Sequence, residues 1–330
     1  MSDLLVGALT VLLATNSPAA LTNLVQAKAG LPLAAAPDND PRAVELRRLM
    51  AEDDAAREEV TQWVRDARPK ATVDTTAESP AALQARIDER LGKVRKAYEA
   101  YIGRFPDYAP ARNAYATFLG EIDEEEAATA QLEKARDIDP KDAAVWNNLG
   151  NHYGHIGPAE KAFPAYERAI ELNPFEPVYR YNLATVTFLY RKDAQEYYHI
   201  DEQAVFAKAL EMYREVRRLR PHNFQYAFDY AQTFYGVKLP PTQSAAEKRA
   251  AEVLLAGTAL AAWDEALSLS DNEVDREGIF LHRARWHLRA GRPEAARTNL
   301  ALVTNEVHVD IRRRIARNLD AAATNAVPPP

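Results

Sequence analysis

The chain has 330 residues, 47% of them hydrophobic and 27% charged, which is ample for an ordered core and excludes an intrinsically disordered polymer. A net charge of −7 and an isoelectric point near 5.6 argue against a protein whose main task is to grip nucleic-acid phosphates. With no cysteine, disulfides, thiolate metal sites and cysteine nucleophiles are excluded, and that absence fits the cytoplasm and an exported location equally.

Residues 4–14 form an apolar run too short to cross a bilayer, where about 20 residues are needed, but of the length of a signal-peptide core. The basic flank of a secretory signal is missing, because Met1, Ser2 and Asp3 precede the run. Small residues suited to cleavage follow at Ala19–Ala20 and Ala34–Ala36. Residues 1–36 are therefore read as an apolar leader or an N-terminal helix, with export or membrane tethering ahead of a cytoplasmic location. Any membrane association is expected through this segment alone.

Asp40 before Pro41 reads as a helix cap and first helical residue. Val44, Leu49, Met50, Ala56, Val60, Trp63 and Val64 keep helical spacing, which predicts a helix to about Arg68, ended by Pro69. Residues 70–78 read as a flexible link. Ser79 and Pro80 start a second long helix through Leu91, Val94, Tyr98 and Tyr101 to Pro106, so 37–106 make an N-terminal helical region.

From there a period sets in. Pro106, Pro140 and Pro174 are 34 apart, Ala128 and Ala135 precede Ala162 and Ala169 by the same interval, and Leu132 precedes Tyr166. The two full copies are 109–142 and 143–176. The second holds Trp146, Leu149, Gly150 and Tyr153, then Ala162, Tyr166 and Ala169, then Pro174. At about 100° per residue Trp146, Leu149, Gly150 and Tyr153 share one packing stripe. Gly157 ends the first helix and Pro158 opens the second. In the first copy Arg112 stands at the tryptophan place and Tyr115 at the leucine place.

The order and spacing of these residues resemble the tetratricopeptide repeat (TPR) family, with Tyr166 for the usual phenylalanine. The resemblance implies an all-α fold, a right-handed superhelical solenoid of antiparallel helix pairs that presents a concave surface to other proteins.

A third copy, 177–223, is expanded: Pro221 lies 13 residues later than the period requires, and the excess falls around Tyr190–Gln203, with Tyr197, Tyr198 and His199. It is expected to lengthen both helices or to form a loop on one face. Residues 224–320 are degenerate. Tyr226–Tyr235 reads as a first helix, Lys238–Ser244 as a loop, Ala245–Leu269 as helix, Glu277–Val303 as another pair with Pro293 opening its second member, and Val309–Leu319 as a charged capping helix. Thus 107–320 is read as the solenoid and 321–330 as a disordered tail.

No phosphate-cradling, nucleophile-elbow or zinc-protease motif occurs, so no catalytic residue and no cofactor are expected. His152 and His155, three apart, read as surface histidines rather than metal ligands, since no third ligand of suitable spacing follows. An enzyme would need a site assembled from distant residues.

The residues opposite the packing stripes are more informative. They are Asn113 in the first copy, Asn147, Asn148, Asn151 and His155 in the second, Tyr181, Asn182 and Thr185 in the third, and Gln225, Phe228 and Asp229 beyond. Amides can donate and accept at once, so this row suits a peptide backbone of any sequence. One subclass of the resembled family grips a C-terminal carboxylate. By register Asn151 and Asn182 match two of its asparagines, but Asn147, Gln225 and Asp229 stand where cations would be, which favours a neutral segment. Farther along, His282, Arg285 and Arg289 give the face a basic end. The expected role is a non-catalytic scaffold for a protein or peptide partner, without nucleic acid. The alternative is a structural component of an envelope or exported complex, tethered by its N-terminal run.

Overall fold

The computed structural model describes residues 40–67, 79–239, 241 and 244–325, with side chains to 320. The apolar leader, the link at 70–78, part of the loop at 238–244 and the end of the tail lie outside the described residues. The described residues form fourteen α-helices and no strand. They belong to two compact units, 1–179 and 180–330.

The first unit opens with α1 (Pro41–Asp66) and α2 (Pro80–Arg104). Asp40 accepts from the Arg42 backbone N–H at 2.9 Å and Ser79 from Ala82 at 3.2 Å, the caps that the two Asp/Ser–Pro pairs predict. The pair is antiparallel: Tyr101 donates to the Arg42 carbonyl, Tyr98 to Asp53, and Arg90 meets Glu59, so partners rise along one helix as they fall along the other. Next come α3 (Ala109–Glu121) and α4 (Glu125–Ile138), then α5 (Ala143–Ile156) and α6 (Ala162–Leu172). A 3₁₀ turn, Ala159–Lys161, lies between Pro158 and α6, and Gly157 ends α5 at φ 81° and ψ 169°, a positive-φ extended conformation open to glycine. One apolar cluster runs through the unit, from Leu46 and Val94 through Tyr98, Phe118 and Leu132 to Leu149 and Ala165.

Gly150 has the role its small size suggests. A Cβ there would lie 2.7 Å from the ring of Tyr166, so the glycine sets how closely α5 and α6 approach. Trp146 is different from expectation. Its ring is only half-buried, and its indole N–H donates to the Pro140 carbonyl at 2.9 Å. One period earlier the Arg112 guanidinium donates to the Pro106 carbonyl at 3.2 and 3.3 Å. The position is a hydrogen-bond donor that ties the start of a helix pair to the carbonyl just after the preceding one, which either side chain can supply.

The second unit contains most of α7 (Pro177–Leu189), then α8 (Arg191–Tyr198) and α9 (Glu202–Leu219). The extra residues of the expanded copy thus form neither longer twin helices nor a loop but a short helix of their own. His199 ends it in the left-handed region at φ 54°, and Asp201 caps α9 by accepting from Ala204 at 2.8 Å. Ala194 buries the insertion against the unit. Then follow α10 (Phe224–Thr233) with a 3₁₀ turn to Gly236, α11 (Ala245–Leu269), α12 (Glu273–Arg289), α13 (Pro293–Ala301) and α14 (Val309–Asn325). Ser244 and Glu247 form a reciprocal capping box that starts α11. Leu281, Ala284, Ala296, Leu300, Val303, Ile315 and Leu319 hold α12, α13 and α14 together. Buried Glu277 accepts from Thr304 and Asn305 backbone N–H groups at 2.9 and 2.7 Å, fixing the connection into α14.

Candidate functional site

Within each unit the first helices of successive pairs come close enough for polar side chains to touch. In the first unit the Asn148 amide on α5 donates to Asn113 Oδ1 on α3 at 2.8 Å, and Asn147 donates to Asn148 Oδ1 at 3.3 Å. Asn151 accepts from the Tyr166 hydroxyl at 2.8 Å. The row expected at these positions is present, but it is not open. Asn147 is 0% exposed and Asn113 5%, whereas Asn148, Asn151 and His155 are half-buried. The physical reason is the stacking itself: α5 packs against α4 and α6 and touches α3, so its buried arc is much wider than the one stripe read from the sequence.

His152 and His155 are corrected in the same way. His152 is buried, and Glu125 at the start of α4 lies between the two rings, 2.8 Å from His152 Nδ1 and 3.6 Å from His155 Nε2. Among the described residues no group of three or more His, Asp or Glu side chains has the geometry to hold a metal ion.

In the second unit Tyr181, Asn182, Thr185 and Asp229 are buried, and Gln225 and Phe228 are half-buried. Tyr181 on α7 donates to Asp229 Oδ2 on α10 at 2.6 Å, and Gln225 donates to the same oxygen at 3.0 Å. Thr185 donates to the Tyr181 carbonyl and shares a hydrogen bond of 2.9 Å with the Tyr213 hydroxyl. Burial pushes the Asp229 carboxyl up to about 6, with the two donated hydrogen bonds opposing. Burial also raises the Tyr181 phenol well above its ordinary range, and the Asp229 charge adds to that.

Beyond Asp229 the face turns aromatic. The ring of Phe228 stands edge-on to Trp263 and to His282, with centroids 5.1 and 5.9 Å apart, and His282 stacks flat on Trp263 at 4.1 Å. Tyr235 hydrogen-bonds to His282 Nδ1 at 3.0 Å. Burial and the nearby Arg285 charge lower His282 to about 3, so the imidazole is neutral. Burial pushes Tyr235 up to about 12, against the Arg285 and Arg289 charges that favour its ionised form.

Sequence reasoning named His282, Arg285 and Arg289 as the basic end of the face and Phe228 as part of the row. It missed Tyr235, which lies in the 3₁₀ turn after α10 where helical periodicity lapses, and the buried anchor Glu277.

The sequence matches no protein-family model and no curated protein. Its fold is similar to solved TPR structures. YrrB, described as a TPR protein with an unusual peptide-binding site, is 17% identical over 70% of this chain and 99% of that one, with a TM-score of 0.49. PilF of Pseudomonas aeruginosa is 17% identical over 76% of this chain and 91% of its own, with a TM-score of 0.47. A TPR protein of Parabacteroides merdae is 10% identical over 83% of this chain and 98% of its own, with a TM-score of 0.42.

Proposed function

We propose that the chain is a non-catalytic scaffold that binds an extended segment of a protein partner along the first helices of its helix pairs. The observation that carries this reading is the side-chain contact between successive first helices, Asn148 to Asn113 in one unit and Tyr181 to Asp229 in the other. Such contacts make each row a continuous, sequence-spaced surface rather than scattered polar residues. Asn148, Asn151, His155, Gln225 and Phe228 are the side chains that meet the partner. Asn113, Asn147, Tyr181, Asn182, Thr185 and Asp229 act from beneath by fixing where those side chains stand. Amides that already exchange hydrogen bonds lose little rotamer freedom on binding, which favours a peptide backbone as ligand.

A photo-crosslinking side chain placed at Asn151 or Gln225, and for comparison at the exposed Glu211 on α9, tests the reading in the cell of origin. From each of the first two positions, crosslinks to a defined stretch of a partner protein are expected. Crosslinks from Glu211 alone would place the interface on the second helices and overturn it.

A further inference from the structure

The second unit carries two guanidiniums that the fold leaves without a counter-ion. Arg285 and Arg289 are one turn apart on α12, on the same face as His282. Neither pairs with a described carboxylate. Four acids of α11 and α12 are engaged elsewhere: Asp264 with Arg283, Glu265 with Arg217, Glu252 with Arg249, and Glu277 with Thr304 and Asn305. Arg289 lies over the Trp286 ring at 4.3 Å, which holds its guanidinium in place without neutralising it. His282 beside them is a neutral ring and brings no negative charge. This corner therefore offers donors and no acceptor charge, and beside it stands the half-buried ring of Phe228, with Phe224 at 5.7 Å.

We propose that Arg285 and Arg289, together with Phe228 and His282, form a subsite for an internal Asp or Glu side chain of the partner with an aromatic side chain two residues away. The inference rests on the peptide-binding reading above and specifies its ligand. One helical turn separates His282 from Arg285 and a second leads to Arg289, each rising about 5.4 Å. Alternate residues of an extended chain point the same way about 6.6 Å apart. A ring over Phe228 and His282 thus brings a carboxylate at the second-next position to the guanidiniums. The alternation that seats the ring places a side-chain carboxylate, rather than the backbone, on that same side. Two guanidiniums meeting one carboxylate give the charge-assisted, forked hydrogen bonds that lysine cannot.

The test is fluorescence anisotropy of the full chain with end-blocked peptide mixtures, randomised except for a fixed Phe–x–Glu, the matching Phe–x–Gln, or Phe–x–Gln with its C-terminal carboxylate unblocked. The glutamate mixture should bind about tenfold more tightly than either other one. That preference should vanish in the double variant Arg285→Gln, Arg289→Gln. It should persist in Arg313→Gln, Arg314→Gln, which removes the same charge from exposed positions of α14. Matching thermal melts show that both variants remain folded. Equal binding of the glutamate and blocked glutamine mixtures overturns the subsite and leaves the peptide-binding reading standing. Preference for the unblocked terminus, or a glutamate preference that survives the loss of both arginines, also overturns it. Absence of binding to every mixture overturns the subsite and the peptide-binding reading together.

Discussion

A carboxylate taken out of water keeps its proton unless a cation stands beside it, and among the described residues the side chains that donate to Asp229 are the neutral Tyr181 and Gln225. Its carboxyl sits at about 6 in the fold, against an ordinary 3.8. Between those values the folded chain binds a proton that the unfolded chain has released, so stability falls as pH rises. The contribution is fully present below the unfolded value and is lost as pH climbs through the folded one. Asp229→Asn, neutral throughout, removes the dependence. The stability gap between variant and parent should therefore move in favour of the variant by on the order of 3 kcal/mol from about pH 4 to about pH 7. Urea midpoints across that range measure it, and a gap that stays flat would show Asp229 to be solvated in solution. The same residue bears on function, because an ionised Asp229 beneath Gln225 changes the charge that a partner meets at that point of the row.

Between elements, the donor shared by Trp146 and Arg112 is the clearest regularity. Each reaches back to a proline carbonyl six residues earlier, Pro140 or Pro106, and so links the opening turn of α5 or α3 to the end of α4 or α2. If the N–H is what the junction needs, Trp146→Phe should cost about 1 kcal/mol in urea melts, and Trp146→Arg no more than that. A cost near 3 kcal/mol for the arginine would mean instead that the aromatic ring holds the junction by packing. Helix positions were legible in the sequence because caps and prolines mark them: Asp40–Pro41, Ser79–Pro80, Ser244 and Pro293 each stand where a helix begins. The depth of burial was not. Periodicity identifies one apolar stripe, whereas a first helix in a stack is covered on several sides, so Asn113, Asn147, His152 and Asn182 are buried although polar. The insertion at 190–203 was legible as extra length but not as α8, since only its packing of Ala194 and the left-handed stop at His199 define that helix.

Charge is distributed unevenly along the whole molecule. Residues 1–179 carry 20 basic and 29 acidic side chains, and residues 180–330 carry 21 and 19, so the net −7 divides into −9 and +2. A negatively charged segment is repelled by the chain as a whole and attracted by the second unit, and ionic strength decides which of these it feels. At 0.1 M salt the screening length is about 10 Å, so a ligand in contact with Arg285 and Arg289 senses those guanidiniums more than charges beyond that range. Association of an acidic segment should then slow as salt is raised from that level, because the local attraction is screened. Arg285→Glu with Arg289→Glu turns the second unit from +2 to −2 and replaces attraction by repulsion at the point of approach. For that variant association should start slower and speed up with added salt, a reversal of sign in the slope of rate against ionic strength. Stopped-flow mixing with the peptide carrying the fixed Phe–x–Glu reads the slope directly. A slope of unchanged sign would mean that the partner approaches by another surface, and that the charge of the second unit serves solubility rather than recognition.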